Sequence, residues 1–159
     1  MAEPPVKNAN TCRHYQGVRM KKANLELIRA RYDAVNAHDL DRFQECYASA
    51  VVWRDPAVVR PVKGPVAVRN RLQTWIEAVP NLKWTLDELF GEGDRLCAQF
   101  TFTGSHRGVL NDGRGNDLAA SRRSIRIRGV GVYVVEAGKI VDSTVYFDLG
   151  AFRAAPSTQ

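Results

Sequence analysis

The chain has 159 residues, 45% of them hydrophobic and 25% charged, with a formal net charge of +6. That is the make-up of one ordinary globular domain, large enough to bury a core without disulfides or metal. No apolar run reaches membrane-spanning length and residues 1–22 carry no apolar signal core, so we expect neither a membrane span nor secretion but a cytoplasmic protein.

The charge is unevenly placed. Residues 1–22 carry Lys7, Arg13, Arg19, Lys21 and Lys22 against Glu3, which leaves the remaining residues close to balance. With Pro4-Pro5 and many Asn, Thr and Gln residues, this segment reads as a basic leader expected to be disordered. A balanced body argues against nucleic acid as the partner. From Met20 to Ala37, Leu25, Ile28, Tyr32 and Val35 recur at helical spacing. Asp39 or Asp41 can cap a short second helix with Phe43, Cys46 and Tyr47 on one side. Residues 51–55 read as a strand stopped by Pro56. Gly64-Pro65 opens a third helix, with Val68, Leu72, Trp75 and Ile76 inward and Arg69 and Arg71 outward; Pro80 ends it.

After Pro80 the period changes to two. Trp84, Leu86, Glu88 and Phe90 alternate with Lys83, Thr85, Asp87 and Leu89 up to the turn Gly91–Asp94. A long strand follows with Leu96, Ala98, Phe100 and Phe102 on one face. An Arg/Gly/Asn/Asp-rich loop spans about Arg107 to Arg122. A strand from Ile125 to Glu136 turns at Ala137-Gly138 into a last strand ending near Phe147. Residues 153–159 read as a frayed tail, leaving 23–152 as one domain. Three helices followed by about four antiparallel strands predict an α+β fold, with the helices packed across the concave face of a curved sheet. Such a cone is a natural ligand cavity.

Two acids stand among apolar side chains: Asp55, after Val51-Val52-Trp53-Arg54, and Asp148, after Val145-Tyr146-Phe147. A carboxylate in apolar surroundings is costly to ionise, which suits proton transfer. Each also has a plain reading. Asp148 alternates with Tyr146 and Thr144 and can cap the turn into Leu149-Gly150; Asp55 shares a face with Trp53 but can satisfy an Asp-Pro turn. Cys12, Cys46 and Cys97 are odd in number and widely spaced, so no disulfide framework or metal site is expected. No Gly-rich phosphate loop follows a strand into a helix, so nucleotide binding is not expected.

Several segments together resemble the nuclear transport factor 2-like (cystatin-like α+β cone) superfamily, and within it the SnoaL-like polyketide cyclase group. They are Ala30-Arg31-Tyr32 with Asn36-Ala37-His38-Asp39-Leu40, Val52-Trp53-Arg54-Asp55-Pro56, Gly104-Ser105-His106-Arg107-Gly108, and Arg128-Gly129-Val130-Gly131-Val132 with Gly138-Lys139-Ile140 and Asp148. The resemblance implies a cofactor-independent enzyme acting on a polyketide or polycyclic carbonyl compound. Its chemistry would be carboxylate acid/base work, either an aldol-type cyclisation or an isomerisation. By the same resemblance Asp148 is the general acid/base and His106 a nearby donor; steroid-isomerase-like members point instead to Tyr32 and Asp55. The strand that would carry that group's second acid, Arg128–Val132, has none. Trp53, Trp75, Phe100, Phe102 and Tyr146 are expected to wall the cavity, and Arg128 to meet an anionic part of the substrate. The bland readings are a core Tyr32, a packed His106 and a solvated run of arginines. The alternative function is a non-catalytic small-molecule binding or dimerisation domain, or a hydrolase or hydroxylase using the same cavity. A homodimer across the open sheet face is expected.

Overall fold

The computed structural model describes residues 20–111 and 117–152. The expected leader up to residue 19, Cys12, the loop residues 112–116 and the tail from 153 lie outside the described residues.

Helix α1 (Lys22–Asn36) buries Ile28, Tyr32 and Val35 of the predicted stripe and leaves Leu25 half-buried. Helix α2 (Leu40–Glu45) starts at Asp39, whose carboxylate accepts from the Arg42 backbone N–H at 3.0 Å. Strand β1 (Tyr47–Arg54) begins earlier than its apolar core suggests. Ala48, Ser49 and Ala50 have weak strand preference, and neighbouring β-structure draws them in. A two-residue strand β2 (Val62–Lys63) pairs with Val52 and Trp53. Helix α3 (Pro65–Ala78) opens on Gly64, whose φ of +83° is one that glycine adopts without strain.

The long strands β3 (Lys83–Glu92) and β4 (Arg95–Ser105), a short ribbon of β5 (Leu110–Asn111) and β6 (Asp117–Leu118), and strands β7 (Ser124–Glu136) and β8 (Lys139–Phe147) follow. A 3-10 helix, Leu149–Phe152, ends the described chain. The main sheet has the order β2-β1-β8-β7-β4-β3. It is mixed, because β1 and β8 run parallel while the other neighbours are antiparallel. Alternation within a strand carries no information on the direction of its neighbour, so this pair was not legible beforehand. The β7–β8 hairpin turns on Ala137 and Gly138, both at positive φ, as a tight hairpin requires.

The helices cover the concave face, and the core lies between. Asn36 ties the end of α1 to β3: its side chain donates to the Trp84 carbonyl and accepts from the Trp84 N–H, both at 2.8 Å. A bulge between Leu86 and Glu88 reverses the alternation of β3. Phe90, grouped by its spacing with Trp84, therefore lies on the convex face, where it, Val132 and Tyr146 are exposed. That is the face the sequence offers to a second copy.

Candidate functional site

The inside of the cone is a wall of rings. Trp53, Trp75, Trp84, Phe100, Phe102, Ile127, Val145, Phe147 and Phe152 enclose one pocket, and Asp55 is its polar member. Strand parity places them there: Phe100 and Phe102 from β4, Ile127 from β7, Val145 and Phe147 from β8 all point inward. Glycines make the room. A side chain at Gly129 would meet the Phe100 ring at 2.4 Å, and one at Gly131 would meet the Tyr133 hydroxyl at 2.3 Å. Phe100 in turn stacks flat on Trp84, with centroids 4.7 Å apart. The space left open is about 10 Å³, room for at most one water.

Asp55 is both pocket wall and turn. Its Oδ1 accepts from the Ala57 N–H at 2.7 Å, the bond an Asp-Pro turn predicts. Its Oδ2 accepts from the Trp53 indole N–H at 3.0 Å. Arg71 adds a bidentate pair, Nε to Oδ2 at 3.0 Å and Nη2 to Oδ1 at 3.2 Å. Four donors on two oxygens occupy the carboxylate's lone pairs. Asp55 thus fixes the Trp53 ring and joins β1 to α3. Arg71 was expected outside; it is buried, because it stands three residues after Val68 on the packed stripe of α3.

Behind Trp53 and Trp84 lies a second, polar compartment. The Arg31 guanidinium is fully buried, with Tyr32, Phe43, Trp53, Trp84 and Tyr133 rings 4.9 to 5.4 Å from its carbon. Its Nε donates to the Tyr47 hydroxyl at 2.8 Å. Burial works against the cation, while Tyr133, Tyr47 and Tyr32 more than offset this, leaving its pKa above the ordinary arginine value. Tyr32 is the expected core tyrosine. Its hydroxyl meets that of Tyr133 at 3.3 Å, and burial pushes it well above the usual phenol range.

His106 is fully buried but stands outside the pocket lining, edge-on to Phe152 at 5.4 Å. Its Nδ1 accepts from the Ser121 N–H at 3.3 Å, which makes Nε2 the protonated nitrogen of a neutral ring. Burial lowers its pKa below 6.5, partly countered by the Gly108 backbone. The unfolded chain therefore binds this proton more readily than the folded one. Stability is held above about pH 6.5 and falls as pH drops below it. Urea midpoints measured from pH 7.5 to 5 should show that fall in the wild type and a smaller one in His106→Gln; parallel profiles would show that His106 is not its source.

Besides His106 and Tyr32, three expected site residues lie outside the pocket. Asp148 is exposed, and its Oδ1 accepts from the Gly150 N–H at 2.8 Å. It caps the turn into the 3-10 helix, as its alternation with Tyr146 allowed, and does not face the cavity. Tyr146 and Arg128 are on the convex face, lining a shallow groove with Gln99 and Val130. Parity puts them there, since Val145, Phe147 and Ile127 beside them point inward. Tyr32, Trp53, Asp55, Trp75, Phe100 and Phe102 do gather on the concave side. Among the described residues no His, Cys, Asp and Glu cluster is arranged to hold a metal, and no helix is long and apolar enough to cross a membrane.

Comparison with known proteins gives this geometry a context. A family profile described as the SnoaL-like domain matches residues 28–143. The fold is similar to that of a protein assigned as a SnoaL-like polyketide cyclase from Jannaschia sp. CCS1, with a TM-score of 0.73, 20% identity, and 84% of this chain and 94% of that one covered. It is similar to TsrD from Streptomyces laurentii at TM-score 0.69 and 25% identity, with the same coverage of 84% and 94%. TerC, co-crystallized with polyporic acid, aligns at TM-score 0.67 and 17% identity over 82% of this chain and 95% of that one. No curated protein matches the sequence.

Proposed function

This chain belongs to the SnoaL-like domain family, and from that premise we propose that its cone holds a flat, mostly apolar small molecule of the polyketide or polycyclic carbonyl class. The observation that carries this reading is the lining itself. Seven aromatic side chains from four strands, one helix and the 3-10 helix converge on one pocket whose polar corner, Asp55, is locked by four donors. Rings facing rings favour a planar aromatic guest. The polyporic acid crystallized with TerC is consistent with a guest of this kind. The walls must part to admit it, since the space now open is about 10 Å³.

A second reading is catalysis by Asp55, favoured by its place in the pocket wall. A bound carbonyl would then have to take over one of its donors before the carboxylate could accept a proton. Asp148, exposed and engaged as a cap, has less support as the base.

A thermal-shift screen against anthraquinones, polycyclic aromatic ketones and steroids tests the proposal. A guest bound only by the folded state raises the melting temperature. We expect a shift with a planar tricyclic class and none with the bulkier steroids. Asp55→Asn should keep the shift, and it should lose turnover only if the second reading holds. No shift with any planar class contradicts the proposal.

A further inference from the structure

Among the described residues, five buried side-chain polar atoms have no hydrogen-bond partner: Arg31 Nη1 and Nη2, Trp84 Nε1, His106 Nε2 and Ser143 Oγ. Four of the five belong to one compartment. Trp84 is one of the rings around Arg31. Ser143 is fully buried on β8, directly opposite Trp53 on one side and Tyr133 on the other, and both of those rings also flank Arg31. Residues opposite one another on neighbouring strands share a face, so the Ser143 hydroxyl lies in the layer beneath the guanidinium.

The chemistry of the set is one-sided. Guanidinium and indole nitrogens donate and never accept. Ring faces answer the positive charge of Arg31, but they leave its two terminal nitrogens without lone pairs to bond. None of the ion pairs among the described residues includes Arg31. The tyrosine oxygens around Arg31 favour its cation, but burial pushes the Tyr47 and Tyr32 hydroxyls up, so neither ionises near pH 7 to bring a full countercharge. What the compartment lacks is an acceptor bearing negative charge. Trp53 and Trp84 divide it from the apolar pocket and belong to both.

We propose that the guest of the cone is an aromatic acid, its flat body among the pocket rings and its carboxylate taken by Arg31 Nη1 and Nη2, with Ser143 Oγ and Trp84 Nε1 beside it. The planar fork of a guanidinium matches the two oxygens of a carboxylate. This rests on the small-molecule reading above and adds the charge and orientation of the guest. It also explains why an unpaired buried cation is kept at a cost to the empty protein. Arg31 is here a binding residue, and it is distinct from the arginines of the loop and of β7.

The test is calorimetric titration of the folded protein with a matched pair of probes, anthraquinone-2-carboxylate and anthraquinone-2-carboxamide. The wild type should bind the acid about tenfold or more tighter than the amide. Arg31→Met should bind both alike, and without ligand it should melt above the wild type, since a buried unpaired charge has been replaced by an apolar side chain. If Arg31→Met fails to fold, Ser143→Ala serves: it should weaken the acid and leave the amide unchanged. Equal wild-type affinity for acid and amide would overturn the inference, with an ordered water left as the partner of Arg31, and would leave the small-molecule reading intact. Binding of neither probe would also overturn the inference, while the small-molecule reading falls only if no planar class shifts the melting temperature.

Discussion

Asp55→Ala is expected to lower the melting temperature by about 10 °C. Among the described residues, the side chain removed is the single acid partner of Arg71, and the pair is almost wholly enclosed, with side-chain exposures of 8% for Arg71 and 2% for Asp55. Removing one member leaves the other as a buried charge, which costs about 3–5 kcal/mol. The Trp53 and Ala57 N–H groups lose their acceptor at the same time. In a domain of this size each kcal/mol lowers the midpoint by about 2–4 °C. The double variant Asp55→Leu/Arg71→Met should recover most of the loss, because it removes both charges and keeps the volume. Calorimetric melting of the three proteins checks this. A single variant within about 1 °C of wild type would mean that the pair is solvated and that Trp53 is not held by it.

Phe152→Ala should change stability and binding in opposite directions. Phe152 is 1% exposed and packs its ring on Trp75, Phe102 and His106. Its loss leaves a cavity and costs about 3 kcal/mol. That cavity adjoins a pocket which now has almost no free space, so the same change makes room for a planar guest. The variant should unfold at lower urea than the wild type yet bind its ligand faster. Stopped-flow association and urea midpoints read the two effects separately. A variant that is destabilised and also binds more slowly would show that Phe152 guides the guest rather than filling its place.

The fold was largely legible because its signals are periodic. The face of Leu96, Ala98, Phe100 and Phe102 is the face β4 buries, and the helix stripes at Ile28, Tyr32 and Val35 and at Val68, Leu72 and Trp75 are those α1 and α3 bury. The pocket was legible in its apolar wall and at Asp55. Both buried arginines were missed for one reason. Arg31 and Arg71 each stand three residues after a buried member of an apolar stripe, Ile28 and Val68, where spacing points inward and residue type points outward. Weighing spacing above type would have found them. The bulge in β3 depends on the neighbouring strand, which no local pattern reports. The outward Asp148 was readable from its alternation with Tyr146 and from the turn into Leu149-Gly150, and only the family resemblance pointed it inward. Arg128 and Tyr146 were misplaced although parity was available. Ile127 and Val145 are the inward partners in those strands, and an arginine beside a glycine pair was given a pocket role that alternation denies it.

The central claim is that a guest sits inside the cone, and the chain carries its own reporters. All three of its tryptophans, Trp53, Trp75 and Trp84, line the pocket. The decisive measurement is a titration of intrinsic tryptophan fluorescence with the best planar compound from the thermal screen, alongside the calorimetric isotherm. A guest among the rings must quench or shift that emission saturably, with the same midpoint as the heat. A compound that binds and stabilises the protein while leaving the tryptophan emission unchanged would sit elsewhere, and would contradict the account.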